Sequence, residues 1–177
     1  MRSKWMTVLG VAVMLAGTLA GCADQSSKLV MQNTQVYSTY RVLASQPQFS
    51  TFVKLLKDAR LRFSLQTAGN YTVFAPTNAA FAALPKGELK KLEKDRNRNE
   101  LRQMLWYQIA PVQITPAAAE SQPVQHMTNE QKALIKAKHG QIISIDNAAV
   151  VVGPQYTENG VIYGIDHVIM PATRGSK

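Results

Sequence analysis

The chain has a single cysteine and three histidines among its 177 residues. One cysteine excludes an intramolecular disulfide, and His126, His139 and His167 lack the i, i+3 or i, i+4 spacing of a metal site. The carboxylates form no convincing acid–base pair, the serines lie in no nucleophile elbow, and no glycine-rich phosphate loop occurs. These absences indicate a protein that is not an enzyme and that needs no metal or cofactor.

Acidic residues are also scarce: 11 Asp and Glu stand against 20 Lys and Arg, a formal net charge of +9. A basic chain can bind nucleic acid, but no motif of a nucleic-acid reader is recognisable, so we expect no such partner. Anionic lipid, glycan or an acidic protein fits the charge better. Seven basic residues fall within residues 86–102. This segment is a solvated pair of helices, a surface for anionic lipid or glycan, or both at once.

The uncharged, mostly apolar run of residues 6–19 is shorter than the roughly 20 residues that cross a bilayer as a helix. It follows two basic residues and ends in Leu-Ala-Gly-Cys, which is similar to the signal of bacterial lipoproteins, cut before the cysteine. The resemblance implies a signal peptide over residues 1–21, acylation of Cys22, and a lipidated tether over residues 22–34. Ala23 after the cysteine favours the outer membrane over the inner. We therefore expect a lipid-anchored envelope protein that faces the periplasm or the cell surface.

Residues 71–85 predict a strand, a sharp turn and a short helix. The first four are aromatic or β-branched, as strands prefer. Pro76 prevents a further ladder hydrogen bond, and Thr77 or Asn78 can accept a hydrogen bond from an N–H group at the start of a helix. Phe81 and a leucine three residues later form its apolar face, and the next residue, a proline, ends it.

Periodic patterns predict the other elements. Apolar residues at i, i+3, i+4 and i+7 indicate a helix over residues 49–59, and residues 101–111 run from a helix into a strand that a proline ends. Residues 133–138 fit either a strand or part of a helix. An Asn159–Gly160 turn precedes the last strand. Other strands are predicted at residues 141–145 and 149–152.

Three of these segments resemble the signatures of the fasciclin (FAS1) domain family. Residues 72–81 resemble the first signature, residues 101–111 the central element, and residues 159–171 the second signature. The residues that carry the two signatures are Thr72, Phe74, Pro76, Thr77, Asn78, Phe81, Asn159, Gly160, Asp166 and Pro171. Gln108 and Tyr163 stand where many members have histidine. A family role that needs that histidine is not carried over to Gln108, because glutamine does not change charge near neutral pH.

The resemblance implies an α+β fold, with a fasciclin-like β-wedge or sandwich of about seven strands flanked by several short helices. The domain is expected over residues 35–172, with a tail at residues 173–177. The family is associated with adhesion and protein–protein contact. The implied function is therefore that of a membrane-anchored envelope lipoprotein whose single fasciclin domain is a cell-adhesion or protein-binding module, with a protein partner in the envelope.

Aromatic and amide side chains are the expected sites of partner contact. The predicted contacts are Tyr107, Gln108, Tyr163 and the residues that flank Asn159. The alternative function is a periplasmic carrier or sensor of a small apolar ligand held between the wedge and a helix. Met104, Trp106 and Tyr107 are the predicted lining of that pocket, although an ordinary core explains them as well.

Asp166 stands within an apolar stretch of the second signature. A buried carboxylate is costly unless it accepts hydrogen bonds or is paired. We therefore predict that Asp166 has a structural role, bonded to backbone N–H groups or to the Thr77–Asn78 corner. In a strand, Asp166 and His167 are expected to point to opposite faces.

Overall fold

The computed structural model describes residues 37–67 and 69–172 of the chain. The predicted signal peptide (1–21), the acylated Cys22, the tether (22–34) and the tail (173–177) lie outside these residues. Contacts group residues 36–177 into one compact unit, and both hydrophobic clusters lie within it. This part of the chain therefore has the core that it needs to fold on its own. None of the described helices is long and apolar enough to cross a membrane.

The described residues form six α-helices and seven strands. The helices are α1 (Thr39–Ala44), α2 (Ser50–Asp58), α3 (Asn78–Ala82), α4 (Glu88–Leu92), α5 (Arg98–Tyr107) and α6 (Pro116–Ser121). Single 3₁₀ turns lie at Pro47–Phe49, Phe63–Leu65 and Asp95–Asn97. The strands are β1 (Tyr71–Pro76), β2 (Ile109–Ala110), β3 (Val124–His126), β4 (Lys132–Lys138), β5 (Gln141–Ile145), β6 (Ala148–Thr157) and β7 (Gly160–Ile165).

The strands form one mixed sheet in the order β2-β1-β7-β6-β5-β4-β3. The α+β fold with about seven strands, which the family resemblance implied, is confirmed. The open alternative at residues 133–138 is settled in favour of a strand, because buried and exposed residues alternate along β4. Strands β1 and β7 are parallel neighbours, with Tyr71 opposite Gly160 and Pro76 opposite Ile165. The two signature segments therefore lie side by side in the sheet.

The core consists of two hydrophobic clusters on opposite sides of β7. Every residue of β7 is buried, and Ile162 belongs to one cluster while Val161 and Tyr163 belong to the other. The first cluster packs α1, α2 and α5 against the sheet. The second fills the interior of the β-wedge, where the rings of Phe74 and Tyr163 stack with centroids 5.6 Å apart. Continuous burial of β7 explains why its sequence is almost uninterrupted apolar.

The strand–turn–helix corner forms as predicted. Of the two residues that could cap the helix, Thr77 and Asn78, the structure shows that Thr77 does so. Thr77 is the N-cap of α3, and its Oγ1 accepts a hydrogen bond from the N–H of Ala80 at 3.3 Å. Asn78 has a different role, because its Oδ1 accepts from the N–H of Thr51 (3.0 Å) and its Nδ2 donates to the carbonyl of Pro47 (2.9 Å). The corner is thereby tied to the start of α2.

The turn predicted at Asn159–Gly160 lies one residue earlier. Thr157 pairs with Gly160 across β6 and β7, so Glu158 and Asn159 form the turn and Gly160 is the first residue of β7. The reason is tertiary rather than local. The Asn159 side chain points inward, is buried, and makes hydrogen bonds to other elements instead of facing solvent.

Candidate functional site

The three side chains predicted as partner contacts lie in the interior. Tyr107 is 6% exposed, Tyr163 is 2% exposed and Gln108 is fully buried. A partner that docks on the surface cannot reach them, so these three predicted contacts are corrected to fold contacts. Of the residues that flank Asn159, Glu158 is exposed and Gly160 is buried.

Both tyrosines are buried and uncharged. The hydroxyl of Tyr107 lies 2.9 Å from Oδ2 of Asp146 and 3.0 Å from the carbonyl oxygen of Lys132. Burial, and then the neighbouring Asp146 carboxylate, raise the pKa of Tyr107 well above its usual value. Burial likewise raises the pKa of Tyr163 to about 12. Each phenol therefore keeps its proton and serves the fold, not proton transfer near neutral pH.

Gln108 joins α5 to the segment that follows β7. Its Nε2 donates to the carbonyl oxygens of Met104 (3.2 Å) and Ile169 (2.6 Å). Its Oε1 is buried, and among the described residues it has no hydrogen-bond partner. The amide thus holds the backbone beside Met104 and Ile169, and the neighbouring Met170 lines the cleft described below.

Asp166 is bonded to backbone, as predicted, but in a different setting. It lies one residue past β7, and its side chain is 36% exposed instead of buried. Its Oδ1 accepts from the N–H of Ala149 (2.7 Å) and from Nδ1 of His167 (2.8 Å). The two neighbouring side chains therefore meet instead of pointing apart, because the strand has already ended. The Thr77 corner bonds to the backbone carbonyl of Ile165 (3.1 Å), not to this carboxylate.

Asp166→Ala is expected to lower the free energy of unfolding at pH 7 by about 1–2 kcal/mol, because the N–H of Ala149 loses its acceptor. Burial acts to raise the pKa of Asp166, but hydrogen bonds from His167 and Ala149 outweigh it, so the pKa lies below its usual value. The ionised carboxylate therefore stabilises the fold above about pH 4, and this contribution is lost as the pH falls through the folded-state pKa. Urea unfolding from pH 2 to pH 7 measures the difference between the two proteins, which should shrink with acidification. Asp95→Ala, at a highly exposed carboxylate, is the control. A constant difference, or none, would contradict the assignment.

A cleft of about 750 Å³ is the candidate binding site. Helices α4 and α5 form one wall, and residues 128–131 with residues 170–172 form the other. Part of its lining is apolar, formed by the buried Leu92 and Met104 and the half-buried Trp106. The volume lies within the range of small-molecule sites. The cleft can therefore accept an apolar group of ligand size or the side chains of a docked segment.

Hydrogen bonds fix the second wall of the cleft. The Gln131 side chain donates to the carbonyl of Ala172 (3.0 Å) and accepts from its N–H (2.8 Å), which mimics a strand pair. Thr128 donates both its N–H and its hydroxyl to the carbonyl of Ile109, at 2.8 and 2.7 Å. Glu130, with a φ of 67°, closes the turn in between. The wall is therefore held in place before a ligand arrives.

The rim of the cleft is acidic in a basic protein. The charged side chains in the lining are three carboxylates (Glu88, Glu100 and Glu130) and one ammonium group (Lys91), so their net formal charge is −2. Lys91 of α4 links this helix to α5 within the first wall, with its Nζ 2.9 Å from Glu100 and 3.3 Å from Glu88. Both hydrogen bonds raise the pKa of Lys91, and the bond to Glu100 has the larger effect. A ligand that carries positive charge beside an apolar group matches this lining best.

The sequence identified part of this lining. Met104 and Trp106, predicted to line a pocket, do so, whereas Tyr107 faces the wedge interior. The wall from residues 128–131 and 170–172 was missed. Among the described residues, no group of three His, Cys, Asp or Glu side chains is placed to hold a metal ion.

A family model described as Fasciclin domain matches residues 47–171. The chain belongs to the fasciclin family. The structure of a FAS1 domain pair from the insect cell adhesion molecule fasciclin I superposes with a TM-score of 0.64, covering 76% of this chain and 51% of that one. At 19% identity this likeness shows the fold alone.

Two similar proteins are bacterial. Protein sll1483 of Synechocystis sp. is 39% identical over 130 residues, which are 73% of this chain and 71% of that protein. The cell surface glycolipoprotein MPB83 of Mycobacterium bovis is 32% identical over 155 residues, which are 88% of this chain but 64% of that protein. Fasciclin domains thus occur in proteins described as cell-surface and adhesion proteins, and one bacterial relative is named as a lipoprotein.

Proposed function

We propose that this fasciclin protein is a membrane-anchored envelope lipoprotein whose single domain binds a protein partner, as in cell adhesion. The Leu-Ala-Gly-Cys sequence that ends at Cys22 and the likeness to a cell surface glycolipoprotein support the anchor. The outer membrane is the proposed location. The mass of the N-terminal peptide, taken from protein isolated from the source envelope, tests acylation directly.

The cleft between α4, α5 and residues 170–172 is the observation that carries the binding proposal. It combines apolar lining residues with three rim carboxylates, and hydrogen bonds hold its walls in place. A partner segment with an apolar side chain flanked by lysine or arginine is complementary to both features. Met170 is 41% exposed at the mouth, where such a segment would pass.

Met170→Arg is expected to abolish partner capture, because it places a positive charge and a bulkier side chain at the mouth. Residues 23–177 are immobilised, exposed to solubilised envelope from the source cells, and washed with rising salt before mass spectrometry. A specific partner should resist about 0.5 M salt, where exposed charge pairs are screened. Val112→Arg is the matched control, since Val112 is 46% exposed and lies outside the cleft. A partner retained equally by both variants would exclude the cleft as its site.

The second candidate function is a carrier or sensor of a small apolar ligand. The same cleft supports it, because about 750 Å³ lined by Met104 and Trp106 can hold one. Native mass spectrometry of protein purified from the source distinguishes the two. Extra mass that the wild-type protein retains and Met170→Arg loses favours the carrier. A clean mass for both, together with the capture described above, favours the binding module.

A further inference from the structure

The outward side of β4 carries a row of lysines. Buried and exposed residues alternate along the strand, so Ala133, Ile135 and the partly buried Ala137 pack into the wedge while the alternate residues face out. The outward residues are Lys132, Leu134, Lys136 and Lys138. We name these four side chains, with their exposed apolar neighbours on β3, β5 and β6, the lysine face.

The neighbours on the lysine face are large and apolar. Val124 of β3 lies directly opposite Leu134, Ile143 is the extra residue of a bulge in β5, and Val151 lies on β6. With Leu134, these side chains are between 40% and 56% exposed. Val124 shares the face of Leu134 because the two residues pair directly. Ile142 and Ile145 of β5 and Ala148 and Val150 of β6 pack in or against the second cluster, whereas Ile143 and Val151 are exposed. Helix α6 packs on the inner side through Ala119.

No strand residue of β3, β4 or β5 is acidic. The nearby Asp146 is engaged, because its Oδ1 accepts from the N–H of Leu134 (2.8 Å) and its Oδ2 lies by Tyr107. Glu130 lies on the cleft rim. Within the described part of the chain, none of the three outward lysines forms an ion pair. Their positive charge is therefore not neutralised locally.

The basic segment 86–102 is different in this respect. Its seven basic residues are interspersed with four acidic ones. Lys91 is paired with Glu88 and Glu100, and Arg98 with Asp95. Among the described residues, none of the exposed large apolar side chains lies within residues 86–102. This segment therefore has the charge but lacks the apolar contacts of the lysine face.

We propose that the lysine face docks on an anionic lipid bilayer. Ammonium groups gain from the negative potential at the headgroups, and the interleaved apolar side chains gain from entering the interfacial region. A soluble polyanion would engage the lysines and leave the apolar residues in water, which is why the lipid surface fits better. The proposal is independent of the cleft, so either can fail while the other stands.

Flotation with vesicles tests the proposal, using residues 23–177 so that neither an acyl chain nor the apolar N-terminal run contributes. The vesicles are phosphatidylcholine, alone or with roughly one third phosphatidylglycerol, at low salt. Binding is expected only with the anionic lipid. Replacing all three lysines by glutamine (Lys132→Gln, Lys136→Gln and Lys138→Gln) should weaken it roughly a hundredfold, about fivefold for each charge.

The matched control removes three lysines of segment 86–102 (Lys86→Gln, Lys90→Gln and Lys94→Gln), which changes the net charge equally. It should weaken binding by less than about fivefold in all. Ile143→Thr combined with Val151→Thr keeps the charge and should make binding more salt-sensitive. Circular dichroism confirms that each variant folds.

Three results would overturn the proposal. Equal losses in both triple variants would show that net charge alone acts, and an unaffected β4 variant would exclude this face. Binding to soluble dextran sulfate with none to anionic vesicles would assign the surface to an acidic polymer instead.

Discussion

Asn159→Ala is expected to lower the free energy of unfolding by about 3–5 kcal/mol, among the larger effects of single substitutions. The Asn159 amide is buried and joins three parts of the fold. Its Oδ1 accepts from the N–H and hydroxyl of Thr39, each at 2.8 Å, and its Nδ2 donates to the carbonyls of Leu65 (3.2 Å) and Thr67 (2.7 Å). Alanine removes the acceptor of the buried Thr39 N–H and the donor to the Leu65 carbonyl, whereas the Thr39 hydroxyl still has Thr157 as a partner at 2.8 Å. For a unit of this size the loss corresponds to a melting temperature roughly 10–20 °C lower.

Two further variants test this assignment: one repeats the substitution at an exposed asparagine, and the other keeps the shape of the Asn159 side chain but changes its hydrogen bonding. Asn99→Ala, at an exposed position in α5, should change stability by less than about 0.5 kcal/mol. Asn159→Asp keeps the shape but places a carboxylate against two carbonyl oxygens, which raises its folded-state pKa. A raised pKa makes the variant gain stability as the pH falls toward about 4, where the acid becomes a donor. A melting temperature of Asn159→Ala within 2 °C of wild type, roughly what 0.5 kcal/mol produces, would contradict the role of the amide.

Local patterns were sufficient for much of the fold. The β-branched run of β1, the proline after it and the capping threonine act over a few residues, so residues 71–82 follow the prediction closely. The same holds for α2, whose apolar residues at helical spacing are all buried. These features depend on backbone geometry and side-chain periodicity, which neighbouring residues determine.

The burial of individual polar or aromatic side chains, on a strand or at the end of a helix, could not be predicted from local patterns. Tyr107, Gln108 and Tyr163 have both apolar and polar atoms, so the sequence is compatible with a surface contact or with a buried hydrogen bond. The decisive groups come from elsewhere in the chain, such as Asp146 for Tyr107 and Ile169 for Gln108. The turn at Asn159 was misplaced by one residue for the same reason.

The cleft was predicted only in part because it is assembled from distant segments. Met104 and Trp106 lie on a helix that periodicity identifies, whereas the opposite wall depends on the Gln131–Ala172 pair, separated by 41 residues. The positive φ of Glu130, which closes the turn in that wall, has no signal in its residue type. A site built this way emerges only when the strands are in register.

Gly160→Ala is expected to destabilise the protein by at least about 3 kcal/mol, because its Cβ has no room. A Cβ at this position would lie 2.2 Å from the carbonyl oxygen of Tyr71 and 3.0 Å from its carbonyl carbon, and backbone cannot rotate away as a side chain can. Gly160 pairs with Tyr71 at the first position of the parallel β1–β7 pair, and the N–H of Tyr71 donates to the carbonyl of Asn159 (3.0 Å). Alanine must therefore separate the two signature strands where they meet.

Gly153→Ala on the neighbouring strand is the matched control. A Cβ there has no atom within 4 Å, so we expect no loss and a gain of up to about 1 kcal/mol from the stiffer unfolded chain. Urea unfolding of the two variants measures the difference, and hydrogen exchange at the Tyr71 amide should rise only in Gly160→Ala. If Gly160→Ala fails to fold while Gly153→Ala folds normally, the result also supports the close contact between position 160 and the Tyr71 backbone, with a cost larger than the folding free energy. Equal unfolding midpoints would mean that the two strands tolerate a methyl group between them, and that glycine at this place in the signature serves something other than their contact.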